Sequence, residues 1–303
     1  MQNKKEHFKW LIDQLWKIHK GLTFDEIMIR WQLETGESEF SLKTHQRNIL
    51  AIRKEFGIDI KINRQNWRYY IRNRDEIENN PVRKITLNNI LFNHSLSNAE
   101  RIKGRIQFEN ISDGEKWLST IIKALKANRK INIIYQRTGA YGPEEYNNLE
   151  PYILKNFRQR WYMLARKDKT QELRLFGLDR IHDIQILDTK FTYRESYSED
   201  FFANSFGVVI NEKLESKIIK IKVNKNTAHY FETLAFHKSQ TIEPGYDFTI
   251  FTYHLKITDD LIYELLKWSQ NIEVLEPQEL RDRMRTIAEQ LLEKYKYFPK
   301  IKS

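Results

Sequence analysis

The chain contains no cysteine. Its absence excludes disulfide scaffolds, thiolate zinc sites and cysteine nucleophiles. Glycine is scarce, ten residues in 303, and no two of them stand as Gly-x-Gly. The dinucleotide fingerprint, the phosphate-loop lysine motif and the Gly-x-Ser-x-Gly nucleophile elbow are therefore all missing. The eight histidines form no His-Glu-x-x-His pair, the spacing that a helical zinc hydrolase requires. No run of 18 uncharged apolar residues occurs, so no membrane-spanning segment is expected. The opening Met1-Gln2-Asn3-Lys4-Lys5-Glu6-His7 precedes no long apolar stretch, which predicts no signal peptide and a cytoplasmic location. Together these gaps predict a protein that is not an enzyme and carries neither metal nor cofactor.

What the chain has in quantity is positive charge and aromatic rings. Lys and Arg number 51 against 41 Asp and Glu, a net charge of +10. Phe, Tyr and Trp number 17, 15 and 7, enough to fill packed cores and to exclude wholesale disorder. At this length, two or three domains are expected.

Residues 6–20 place Phe8, Leu11, Ile12, Leu15 and Ile18 on one helical face, and Gly21 ends that helix. Thr23-Phe24-Asp25-Glu26 reads as a capping box opening a second helix, with Phe24, Ile27, Met28 and Trp31 as its buried stripe. Ser41 is the expected N-cap of a third helix, in which Leu42, His45, Ile49, Ile52 and Phe56 point inward, with His45 at the edge of the core. Residues 57–62 and 67–72 read as two strands joined by a turn at 63–66. Three helices and a hairpin make a winged helix-turn-helix, whose third helix enters the major groove. Between residues 41 and 74 nine basic residues face two acidic ones, while residues 1–40 are near neutral. That local charge matches a phosphate-binding footprint. Lys43, Gln46 and Arg47 are assigned to base edges, and Ser41, Thr44, Arg64 and Arg68 to phosphates. The competing reading is a protein-interaction module of the same fold.

Pro81 is expected to close this domain. Residues 81–128 read as a helical linker, ending in a helix opened by a capping-box match at Ser112-Asp113-Gly114-Glu115 and carrying Trp117, Leu118, Ile121, Ile122 and Leu125. Five short strands follow, at 131–135, 149–155, 160–166, 173–176 and 181–187, which suggests a small barrel over 129–193. From 117 to 193 there are fourteen basic and eight acidic residues. Arginines interleaved with Phe157, Trp161 and Tyr162 suit a single-stranded nucleic acid. Equally, Trp161, Met163 and Phe176 fill a barrel core, and Arg180 pairs with Asp179 or Asp183.

Arg160-Trp161-Tyr162-Met163-Leu164-Ala165 followed by Arg174-Leu175-Phe176-Gly177-Leu178-Asp179-Arg180-Ile181 resembles the WYL-domain family of bacterial transcription regulators. Met163 stands where the family has Leu. Tyr135 on the first strand and Pro151 opening the second match as well. The resemblance implies an SH3-like or Sm-like barrel that senses a ligand, often a nucleotide or nucleic-acid fragment. It assigns Tyr135, Tyr162, Arg174 and Arg180 to that ligand, and Arg158 and Arg160 join them on charge alone.

The C-terminal third, 194–303, begins with a polar connection containing Phe201-Phe202. It continues in β-α-β-β-α-β order with a final helix over 277–295, which implies a split βαβ sandwich. The whole is an α+β multidomain chain: winged helix-turn-helix (1–80), helical linker, WYL barrel and C-terminal α+β extension. The function expected is a ligand-responsive regulator that binds palindromic operator DNA as a homodimer, with a nucleotide or single-stranded effector. The alternative is a nucleic-acid-binding accessory of a defence or repair system without operator specificity.

Overall fold

A computed structural model describes residues 2–36, 40–97, 105, 113–197 and 199–296. The chain divides into two compact units, residues 1–109 and 110–303. Among the described residues, no helix is long and apolar enough to cross a membrane.

In the first unit, α1 (Gln2–Lys17) buries Phe8, Trp10, Leu11, Ile12 and Leu15. The capping box opens α2 (Phe24–Thr35): Thr23 Oγ1 accepts from the Glu26 amide at 3.2 Å, and Glu26 accepts from the Thr23 amide at 2.9 Å. Ser41 caps α3 (Leu42–Phe56), which ends at left-handed Gly57. The hairpin of β1 (Ile60–Asn63) and β2 (Arg68–Ile71) forms the wing. Its turn is held by Asn63 and Asn66 side chains, which accept from the Gln65 and Arg68 amides. Leu22 adds a short third strand against Tyr69. Gly21 is obligatory there: φ is +76°, and a Cβ would lie 2.4 Å from the Tyr69 carbonyl oxygen.

Three expectations change. His45 is not at the core's edge but completely buried, with Phe24, Phe40 and Tyr69 around it at ring separations of 4.6–6.0 Å. Asn48 rather than Leu42 completes the inward face of α3, because α3 begins with its first turn beyond the core. Pro81 does not end the unit. After α4 (Arg74–Asn79) it opens α5 (Pro81–Ser97), where its missing N–H costs nothing. Leu87 and Ile90 of α5 join the same core as α1.

The second unit begins with a short 3₁₀ turn (Asp113–Trp117) and α6 (Leu118–Ala127); Ser112 lies outside the described residues. Strands β3 (Arg129–Tyr135), β4 (Glu144–Phe157), β5 (Arg160–Arg166), β6 (Leu173–Gly177) and β7 (Ile181–Lys190) form an antiparallel sheet in the order β6-β5-β4-β3-β7. Register shifts beside Ile131 and Pro151 mark bulges in the β3–β4 and β4–β5 pairings, so long β4 serves both neighbours. Ile121 and Ala124 of α6 plug the barrel beside Ile131, Ile133, Met163, Ala165 and Phe176.

The C-terminal fold comprises β8 (Ser216–Asn224), α7 (Lys225–Thr233), β9 (Thr241–Pro244), β10 (Phe248–Lys256), α8 (Asp259–Lys267), β11 (Ile272–Glu276) and α9 (Gln278–Tyr295). Sheet order β11-β8-β10-β9 is the split βαβ sandwich. Ile219, Ile221 and Val223 of β8 and Phe251, Tyr253 and Leu255 of β10 alternate into its core. Along α9 only Leu280 is fully buried, with Met284 and Ile287 half-buried behind it; Leu291, Leu292 and Tyr295 are exposed.

Candidate nucleic-acid interfaces

The charge count over 41–74 overstates the free charge of the winged helix. Arg68 donates to both carboxylate oxygens of Glu26 at 2.9 Å and to the Gly21 carbonyl at 2.8 Å. The Glu26 carboxyl sits below its ordinary range, held there by the Thr23 amide first and Arg68 second. Buried Asp59 faces Arg72 at 2.8 Å, Arg53 at 3.6 Å and Lys61 at 3.7 Å. Arg74 donates to the Leu15 and Trp16 carbonyls at the end of α1 and lies 4.0 Å over the Trp16 ring.

Lys43, Arg47, Lys54 and Arg64 remain exposed, and none of these four has a carboxylate partner among the described residues. Gln46 is exposed between Lys43 and Arg47. Ser41 and Thr44 are occupied by the cap, their hydroxyl oxygens 3.0 Å apart. Of the seven residues assigned to DNA, Arg68 is thus built into the fold, and Ser41 and Thr44 are committed to the α3 cap. Arg68→Ala should lower the melting temperature of the first unit, whereas Arg64→Ala should leave it unchanged and weaken only duplex binding; thermal unfolding beside a binding titration separates the two.

In the barrel, Tyr135, Tyr146 and Phe176 form an edge-to-face trio with centroids 5.1–6.0 Å apart. Two arginines cover it. Arg174 lies 5.0 Å from the Tyr146 ring and 5.6 Å from Phe176, and Arg180 lies 5.1 Å from Tyr135. Neither has a carboxylate partner among the described residues; Arg180 donates instead to the Thr138 hydroxyl at 2.8 Å. Asp179, the partner offered to Arg180 by the sequence, faces Arg160 at 3.6 Å. Gly177 makes room for this arrangement, since a Cβ there would stand 3.1 Å from the Arg180 guanidinium. Tyr135 is buried, its hydroxyl accepting from the Gly177 amide at 3.3 Å, and burial raises its pKa. Burial raises the Tyr146 pKa too, with the Glu144 hydrogen bond adding to it.

The six expected ligand residues therefore do not converge. Tyr135, Arg174 and Arg180 meet at the barrel mouth, with Arg160 linked through Asp179. Tyr162 lies on the other face of β5 from Trp161, Met163 and Ala165, opposite Lys155 and Gly177. Arg158 stands in the tight β4–β5 turn at φ +49° and pairs with Glu264 of α8. The sequence does not single out Tyr146 or Thr138. Tyr146 was hidden because β4 starts five residues before the apolar pattern does, and Thr138 because it lies in a turn-rich loop.

On Tyr162's face, Lys155 reaches across to the Gly207 carbonyl and lies 4.0 Å over Phe202. Burial lowers its pKa to about 8. Among the described residues, no cluster of three His, Asp or Glu is placed to hold a metal ion.

Residues 116–186 match the WYL domain and residues 218–292 the WCX domain. Among solved structures, proteasome accessory factor B/C (PafBC) of Arthrobacter aurescens aligns over 99% of this chain at 16% identity, with a TM-score of 0.40. The chain spans 49% of that protein's length. A CRISPR Cas-related protein aligns over 89% of this chain and 77% of its own at 13% identity, with a TM-score of 0.39. The chain thus carries a WYL domain over residues 116–186 and a WCX domain over 218–292, with a winged helix ahead of them.

Proposed function

We propose that the chain is a ligand-responsive, non-catalytic DNA-binding regulator. The winged helix takes operator duplex, and the barrel mouth takes a nucleotide or single-stranded nucleic-acid effector. The observation that carries the reading is the pair Arg174 and Arg180, two guanidiniums above three aromatic rings with no carboxylate partner among the described residues. Such a surface suits phosphate pairing and base stacking together. Lys43, Arg47, Lys54 and Arg64 supply the phosphate attraction of the winged helix, and Gln46 and Arg47 have the donor geometry for base edges. A homodimer follows from the two-fold symmetry of operator half-sites. Effector and operator are coupled to the extent that the effector prefers one arrangement of the chain.

The test is fluorescence anisotropy of the full chain with duplex from its own upstream region, scrambled duplex and short single strands, each at two salt concentrations. Arg174→Ala with Arg180→Ala should weaken single-strand binding about tenfold or more while sequence-specific duplex binding persists. Lys43→Ala with Arg47→Ala should do the reverse and reduce the duplex salt slope by about two. Equal, steeply salt-dependent binding of every nucleic acid would reject the operator reading.

A further inference from the structure

The face of α3 that carries the free cations is partly apolar. Leu42, Gln46 and Leu50 follow one another at steps of four and form one outward stripe. Leu42 is 46% and Leu50 67% exposed, far more than a core-facing leucine. Across from them Trp67, 66% exposed, stands at φ +57° just ahead of β2. Stripe and wing enclose an open groove of about 820 Å³ whose walls include Ile49 and Ile62. Among the described residues lining it, Asp25 is the one carboxylate and Lys61 the one cation. Exposed apolar side chains grouped this way mark a binding surface, and Lys43, Arg47, Lys54 and Arg64 on the same helix and wing turn, exposed and with no carboxylate partner among the described residues, select a polyanion as the occupant.

We propose that this stripe reads A·T base pairs in the major groove, Gln46 bridging adenine N6 and N7 while Leu42 and Leu50 cover thymine methyl groups on either side. Gln is the side chain whose amide matches the adenine edge, and the thymine methyl is the one apolar group a major groove offers. Leu42 and Leu50 are about 12 Å apart along the helix, so they meet different base pairs. The inference rests on the duplex-binding reading above and supplies the base steps which that reading leaves open.

The experiment is a selection of duplexes from a random library with the full chain, followed by titration of the enriched duplex with deoxyuridine replacing thymine at single positions. Enriched half-sites should contain A·T steps. Loss of each contacted methyl should weaken binding about fourfold, the scale of one buried methyl(ene) group. Leu42→Ala and Leu50→Ala change exposed side chains, so the fold persists; each should abolish the deoxyuridine effect at one position and keep the salt slope. An enriched motif that binds equally well with deoxyuridine, or that is G·C throughout, overturns this inference and leaves operator binding standing. Failure to enrich any motif overturns both.

Discussion

Glu150→Ala is expected to destabilise the second unit by about 3–5 kcal/mol, the cost of breaking a buried ion pair. Glu150 is buried where β4 meets β5 and sits within a closed set of partners. Arg166, itself buried, donates Nε to it at 2.9 Å and also Nη2. Lys130 approaches the other carboxylate oxygen at 3.4 Å, and the Tyr152 hydroxyl donates at 3.2 Å. Removing the carboxylate leaves the Arg166 guanidinium in the interior with the Gln171 side chain as its remaining partner. Lys130 is less affected, since Asp168 at 2.8 Å remains. Against a domain stability of about 5–15 kcal/mol the loss is large. Urea denaturation, comparing midpoints at equal slope, measures it. Glu150→Met together with Arg166→Met should recover much of the loss, because removing both charges leaves neither unpaired. A single-variant loss below about 1 kcal/mol would mean that water reaches the pair and the network is a surface one.

This network also shows what a sequence conceals. Glu150 and Arg166 count toward the barrel's charge with equal weight to Arg174 and Arg180, yet the first two neutralise each other inside the protein and the second two lie over aromatic rings with no carboxylate partner among the described residues. Partnering is decided by strand register: β4 and β5 pair Glu150 with Arg166 directly. Parity of neighbouring residues fixes the face on which each side chain emerges. By the same rule Tyr162 leaves β5 opposite to Trp161 and parts from Arg174, whose partner Ala165 lies on Trp161's side.

Local chemistry, by contrast, is readable at three places. The Thr23–Glu26 box, the Ser41 cap and the wing turn each depend on residues within three positions, and each forms as expected. The Arg-x-Phe-Gly-Leu-Asp-Arg stretch was legible for a related reason, since Gly177 and Arg180 act on each other across a single turn. Leu42 was misplaced because helical periodicity says which residues share a face, not where the neighbouring element stops covering it.

Acidification should destabilise the first unit well before the carboxylates titrate, and two histidines are the cause. His7 and His45 are both buried, and burial lowers each pKa from 6.5 to about 4; their mutual repulsion deepens the shift for His45. His7 packs between Trp31 and Phe40 at 4.7 and 4.5 Å, and His45 against the Tyr69 ring at 4.6 Å. A proton on either ring would bring a charge into that aromatic cluster. The unfolded chain has no such restriction and takes up protons near pH 6.5. Between pH 6.5 and 4 the unfolded state therefore binds more protons than the native state, so stability present above pH 6.5 is lost as pH falls. From pH 7.5 to 5 the loss is about 2 kcal/mol for each histidine. His94, whose pKa burial also lowers, acts in the same direction. Denaturant unfolding at pH 7.5, 6 and 5, followed by tryptophan fluorescence, gives the slope directly, because Trp10 and Trp31 lie in this core. His45→Leu should be tolerated at neutral pH and should remove about one proton from that slope. Equal stability at pH 7.5 and 5 would show that the rings take up protons in the native state as readily as in the unfolded chain. In the expected case the winged helix weakens as pH falls below 6.5, so any effect of pH on duplex binding has to be read beside its stability at the same pH.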